Sequence, residues 1–345
     1  MNSEATLKEE QFREAFASFT LPAKERISEK TRRKKVIVIA GPTAVGKTEI
    51  SFQIALAVGG EIISADSMQV YRGMDIGTAK PSFEMRQKVI HHLIDSRDLD
   101  ENYNVVDFYQ EATQALKEIF AKDHVPMVVG GTGFYISALL HGPPSGPPSV
   151  KEVRRQLQQE MESKGAFELH QKLKQLDPEY ARTITPTDRH KIIRALEIIT
   201  ITNQRVSNFL PAFHHEDFVA CDFRCWFLYL PNELLYERID KRCDEMIERG
   251  LIEEVNLLAQ EGLADNHTAS QAIGYKQCLE YLKTDQTEAD RKAFYQNFRQ
   301  ASRRYAKRQY TWFRKQPLFR WLNLSTLSKE TVIEIIIQDL EQSFY

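Results

Sequence analysis

Residues 41–48, Gly41-Pro42-Thr43-Ala44-Val45-Gly46-Lys47-Thr48, fit the pattern Gly-x4-Gly-Lys-Ser/Thr. They stand between a short apolar β-branched run, Val36–Ala40, and a helix-forming stretch, Thr48–Val58. In that strand–loop–helix context the glycines let backbone N–H groups turn toward a phosphate. Lys47 adds a positive charge, and the Thr48 hydroxyl can hold Mg²⁺. A chance glycine-rich turn would need neither the strand before it nor the helix after it. The loop specifies a ligand with two linked phosphates and does not specify ATP. A kinase, an NTPase and a transferase whose leaving group is diphosphate all remain open at this point.

The flanking chain alternates strands and helices. Glu61–Ser64 reads as a second short strand, Val105–Lys122 as an amphipathic helix, and Val125–Val129 as a buried strand closed by Gly130-Gly131. This alternation predicts a doubly wound parallel α/β sheet of the P-loop, nucleotide-kinase-like kind. The proline-rich run Gly142–Ser149 cannot continue a helix or a central strand. After it, Val150–Asn203 is almost wholly helix-forming, with interruptions near Asp177-Pro178 and Thr185-Pro186. Strand signal returns at Phe218–Leu230, and long amphipathic helices follow over Asn232–Gln260 and Gln286–Lys315. The expected organisation is a polar extension over 1–34, a first core part over 35–142 and a helical insertion over 143–212. A second core part with basic helices covers 213–330, and a terminal helix covers 331–345.

Charge and cysteine content narrow the partners and the compartment. The formal net charge is −2, so any nucleic-acid surface must be a local patch. Acidic residues in the first 34 positions, among them Glu4, Glu9, Glu10 and Glu14, argue against a transit peptide, and Leu7–Phe19 could form a short helix. The four cysteines, Cys221, Cys225, Cys243 and Cys278, follow no signal-peptide pattern, which points to a reduced cytoplasm. The apolar runs are strand-sized and fall well short of the ~20 residues that span a bilayer, so no membrane role is expected. Cys221 and Cys225 with His214 and His215 fit no common zinc spacing and read as structural, as does His91-His92.

Longer strings carry a resemblance. Ile63-Ser64-Ala65-Asp66-Ser67-Met68-Gln69-Val70-Tyr71 leads into Gly73-Met74-Asp75-Ile76-Gly77-Thr78-Ala79-Lys80-Pro81. His92–Asp95, Gly130–Tyr135, Arg194–Glu197, Gln271–Lys276 and Ala306–Arg314 follow in order. Over about residues 36 to 315 the chain closely resembles the bacterial tRNA dimethylallyltransferases. That resemblance implies dimethylallyl diphosphate as donor and Mg²⁺ as the assisting ion. The implied acceptor is N6 of adenosine 37, next to the anticodon, in tRNAs reading codons that start with U. It also implies that the helical insertion grips the anticodon stem. A monomer is expected.

The candidate site residues follow from both lines. Asp66 lies directly after a strand, at the edge where such sheets place ligands, and by resemblance it is the general base for the weakly nucleophilic adenine amine. The bland alternative is a turn aspartate. By resemblance the Thr132 hydroxyl lies near the diphosphate and the target base; otherwise it is a helix N-cap. By resemblance Arg242 reaches the diphosphate, whereas Arg238, one turn earlier, reads as a solvated charge. Asp95 is a further candidate for placing Mg²⁺. By resemblance Asp66, Ser67, Met68 and Gln69 would read the target and its neighbours. Arg189, Lys191 and Arg194 would hold phosphates from the insertion, and Gln271, Ala272, Ile273, Gly274, Tyr275 and Lys276 form a further tRNA contact. From Arg299 to Lys315 there are seven basic residues and no acidic one, interleaved with Tyr305, Tyr310, Trp312 and Phe313. Lys307 and Arg308 within this run suit RNA contact with stacking. Three rivals share some of these features: an isopentenyltransferase acting on free AMP or ATP, a small-molecule kinase, and a P-loop RNA-binding module without catalysis.

Overall fold

A computed structural model describes residues 34–144, 146–209 and 221–342. The described residues divide into two compact units, one formed by residues 34–140 together with 221–342, the other by residues between 141 and 209. In the first unit β1 (Lys34–Ala40), α1 (Lys47–Val58), β2 (Gly60–Ala65), α2 (Phe83–Lys88), β3 (His91–His92), α3 (Val105–Ala121), β4 (Val125–Gly130) and α4 (Gly133–His141) succeed one another. The second unit holds α5 (Lys151–Leu176), α6 (Pro178–Ala181) and α7 (Arg189–Thr202). The first unit then resumes with β5 (Cys221–Tyr229), α8 (Asn232–Glu248), α9 (Leu251–Gln260), α10 (Tyr275–Tyr281), α11 (Glu288–Phe313), β6 (Arg320–Asn323) and α12 (Lys329–Glu341). No helix among the described residues is long and apolar enough to cross a membrane.

Among the described residues six strands form one sheet in the order β3-β2-β4-β1-β5-β6, and every pairing is parallel. Val36 to Ala40 are all at 0% exposure, five residues in a row. A strand buried at consecutive positions is covered on both faces, as a parallel sheet flanked by helices requires. The register matters for function. Ala65 pairs with Gly130, and Gly130 pairs with Ala40. The ends of β2, β4 and β1 are therefore level, and the residues that follow them emerge side by side. A side chain at Gly130 would place its Cβ 2.2 Å from the Ala65 carbonyl oxygen, so the strands can lie this close only with glycine there.

Two strands were not legible in the sequence. β3 is two residues long, and β6, Arg-Trp-Leu-Asn, is an edge strand with no alternating apolar pattern. The helical stretch Asn232–Gln260 splits at Gly250, which takes a left-handed φ of 97°, and α5 is broken at Gly165 with φ 83°. Leu7–Phe19, residues 218–220 and His214-His215 lie outside the described residues. His92 is structural: it bonds the buried Glu61 carboxylate at 2.7 Å, and Lys122 and His124 meet the same group.

The string Gly73–Pro81 is shaped by one carboxylate. Glu254 of α9 accepts from the N–H groups of Asp75 (3.2 Å), Ile76 (2.7 Å) and Gly77 (3.3 Å) and from the Tyr275 hydroxyl (2.6 Å). Glu254→Ala strands these donors, some of them out of reach of water, and should cost about 3 kcal/mol in urea denaturation. A loss under about 1 kcal/mol would remove Glu254 from this role.

Candidate active site

The level strand ends open onto a cleft of about 610 Å³ in the first unit. Its walls come from the loop after β1, the segment after β2, the Gly130-Gly131 corner after β4, and the inner faces of α8 and α11. All strands are parallel, so this is the carboxyl edge at which open α/β sheets place their ligands.

The phosphate loop turns at Gly46, whose φ is 107°, into α1. Gly41 lies against β5, where a Cβ would meet the Leu228 carbonyl oxygen at 2.6 Å. Lys47 curls back and donates to the carbonyls of Gly41 (2.9 Å) and Pro42 (2.8 Å). Burial, and then the positive charge of Arg242, push its pKa down to about 7, with the Asp66 carboxylate opposing them. Burial likewise lowers the pKa of Arg242, which makes no ion pair among the described residues. Two cations thus face one cleft without a full complement of anions, and a polyanionic ligand would supply it. Thr48 is exposed and lines the cleft. Among the described residues no group of three or more His, Cys, Asp or Glu side chains could hold a metal ion.

Asp66 makes the turn weighed for it and also lines the cleft. Its Oδ1 accepts from the N–H groups of Met68 (2.9 Å) and Gln69 (3.4 Å), as a turn aspartate does. Its Oδ2 has no hydrogen-bond partner among the described residues, and the side chain lines the cleft. The turn holds the carboxylate in place while one oxygen stays available. The Thr132 Oγ1 accepts from Ser67 N–H (3.3 Å), which ties the corner after β4 to the loop after β2. Tyr305 of α11 sits against this pair. Burial, with the Asp66 charge next, raises its hydroxyl to about 12, with the Thr132 side chain opposing the shift.

Other expected residues distribute unevenly. Ser67, Met68 and Gln69 line the cleft, but the Gln69 amide is already engaged by the Ser64 hydroxyl and the Thr78 carbonyl. Gln271, Ala272 and Ile273 line it as well, and Lys276 is half-buried. Gly274 and Tyr275 correct the expected contact strip: both are buried, Gly274 starting α10 and Tyr275 bonding Glu254. Asp95 is also corrected. Lys80 and Arg86 each hold one of its oxygens, which keeps its pKa low, and Asp95 is not among the residues lining the cleft. In the second unit Arg189 and Lys191 are exposed. Arg194 instead donates to the buried Glu197 (2.9 Å) and to the Pro147 carbonyl (2.5 Å), so it fastens its own unit.

On α11, Arg299 and Arg303 pair with Asp244 and Asp240 of α8 and leave the basic run. Lys307 and Arg308 are exposed, and Arg308 reaches the cleft. Arg238, expected to be a solvated charge, is exposed but lines the cleft too. Gln309 was missed altogether. It is buried, accepts from Thr43 N–H (3.0 Å) and donates to the Gly131 carbonyl (2.9 Å). This one amide links the phosphate loop to the Thr132 corner. A glutamine in a basic, aromatic helix offers no sequence signal for such a role.

Comparison with known proteins follows the geometry. A family model described as IPP transferase matches residues 69–316. A protein from Protochlamydia amoebophila named tRNA dimethylallyltransferase is 55% identical over 309 residues, covering 90% of each chain. One of the same name from Chlamydia caviae is 45% identical over 89% of this chain and 90% of its own. Among solved structures, a full-length tRNA isopentenylpyrophosphate transferase from Bacillus halodurans superposes with a TM-score of 0.65 at 38% identity, covering 90% of this chain and 96% of its own. A eukaryotic dimethylallyltransferase described as acting on tRNA gives 0.73 at 29% identity, covering 89% and 80%. With the phosphate loop, the cleft carboxylate and these matches together, the chain belongs to the IPP transferase family.

Proposed function

We propose that this protein transfers a dimethylallyl group from dimethylallyl diphosphate to N6 of adenosine 37, adjacent to the anticodon, in tRNAs reading codons that start with U. The observation that carries this reading is a single cleft in which Lys47 and Arg242 face the Asp66 carboxylate. The cations hold the diphosphate and stabilise the charge it gains as it leaves. The carbon–oxygen bond of the donor breaks, its electron pair goes to the diphosphate, and the N6–carbon bond forms. Asp66 Oδ2 takes the N6 proton, and Thr132 with Tyr305 holds the segment that carries Asp66. The acceptor base must leave the anticodon-loop stack to reach this depth.

The residues present suit Mg²⁺ carried in on the diphosphate. Thr48, exposed at the cleft, would be the protein group that holds it, alongside the donor's own oxygens. The ion would neutralise charge on the leaving diphosphate. Four free thiols support the cytoplasm as its location.

The exposed cations Lys307 and Arg308 beside the cleft, and Arg189 with Lys191 on the insertion, favour a polymeric acceptor over free AMP. The test is transfer of labelled dimethylallyl groups, with Mg²⁺, to three acceptors in parallel. These are unmodified tRNA with adenosine 3′ of its anticodon, the same tRNA with guanosine there, and AMP. Label on the first alone is the expected result. Label on AMP alone would move the protein to nucleotide prenylation, and no label on any would favour the kinase reading.

A further inference from the structure

Two large aromatic side chains lie in the open beside the Thr132 corner. Phe134 is 46% exposed and Trp312 is 39% exposed, and their rings meet edge to face with centroids 6.4 Å apart. Trp312 packs on Gly133, where a Cβ would meet its ring at 2.3 Å, one residue after Thr132. The neighbouring aromatics of α11, Tyr310 and Phe313, are buried in the core, so packing accounts for them and not for Trp312. Along α11, Tyr305, Arg308 and Trp312 follow at i, i+3 and i+7 and share one face. Tyr305 is inside the cleft beside Asp66, and the Arg308 guanidinium stands 5.4 Å from the Tyr305 ring centre. Trp312 continues the same face outward.

This row joins flat apolar faces to unpaired cations. Arg304, Lys307, Arg308, Arg314 and Lys315 make no ion pair among the described residues, and no acidic side chain interrupts the run from 299 to 315. An apolar protein partner would have to desolvate those charges. A single-stranded nucleic acid satisfies both features, because its bases stack on aromatics while its phosphates meet the cations. We infer that Trp312 and Phe134 form a stacking platform for the unpaired nucleobase next to the acceptor adenine. Arg308 lies on the helix between that platform and the reacting base. The inference rests on the proposed RNA acceptor and adds a subsite to it.

The test uses the full chain with an anticodon stem-loop hairpin and dimethylallyl diphosphate. Trp312→Leu and Phe134→Leu keep bulk and remove the aromatic face; Trp312→Phe keeps a ring. The expected result is a KM for the hairpin about tenfold higher in each leucine variant, near wild type in Trp312→Phe, with inhibition by inorganic diphosphate unchanged. Hairpins with an abasic nucleotide on either side of the acceptor should raise the wild-type KM on one side only. On that side the loss and Trp312→Leu should not add. Equal hairpin KM values in wild type and Phe134→Leu, or full additivity with both abasic hairpins, would overturn the platform while prenylation persists. Failure of the wild type to prenylate any hairpin would overturn the acceptor reading, and the platform with it.

Discussion

Asp66→Asn is expected to lower kcat about a thousandfold while hairpin and diphosphate binding stay within a few-fold of wild type. Asparagine is the informative change because of how the structure uses the two carboxylate oxygens. Oδ1 is committed to the Met68 and Gln69 N–H groups, and an asparagine carbonyl can accept the same bonds. Only the proton-accepting capacity of Oδ2 is removed. Asp66→Ala would lose the turn as well, and its effect would mix a missing base with a displaced Ser67–Gln69 segment. The measurement is single-turnover transfer with donor and hairpin saturating, beside direct binding of each. If Asp66→Asn turned over at the wild-type rate, Asp66 would be a turn residue only. If it lost hairpin binding in proportion to kcat, its role would be in holding the acceptor.

The division of this site between sequence and structure has physical causes. The phosphate loop was legible because its chemistry requires glycine, lysine and threonine at fixed spacing between a strand and a helix. The parallel sheet was legible because buried strands show continuous apolar runs. Asp66 stood out by its place after such a run. What the sequence could not show was which polar groups are already spent. Arg194, Asp95, Arg299 and Arg303 look like free charges until Glu197, Lys80, Arg86, Asp244 and Asp240 are seen beside them. Gly274 and Tyr275 sit in a string that matches the family, yet they are buried and support their neighbours. Gln309 acts across 266 residues of chain, a link that exists only once α11 packs over the loop. Conversely, the aromatics of the basic run divide by burial: Tyr310 and Phe313 serve the core, and Trp312 faces outward.

Lys47→Ala is expected to cost about a hundred- to a thousandfold in kcat, the range seen when one preorganised donor to a developing charge is lost. A more specific consequence follows from its pKa of about 7 in the free protein. A diphosphate beside the ammonium favours the charged form and returns the pKa toward or above the usual lysine range. Lys47 then binds a proton as the donor binds whenever the pH exceeds about 7. Near pH 8 about nine-tenths of the free-protein side chains would be neutral, so close to one proton should be taken up per diphosphate bound. The electrostatic contribution to affinity is therefore fully present below pH 7 and declines as pH rises above it. Calorimetry of inorganic diphosphate binding in buffers of differing ionisation enthalpy measures this uptake directly. Lys47→Arg keeps a positive charge but cannot titrate in this range, so it should bind without proton uptake and with a flatter pH profile. Equal uptake in wild type and Lys47→Arg would assign the proton to another group in the cleft and leave Lys47 charged throughout.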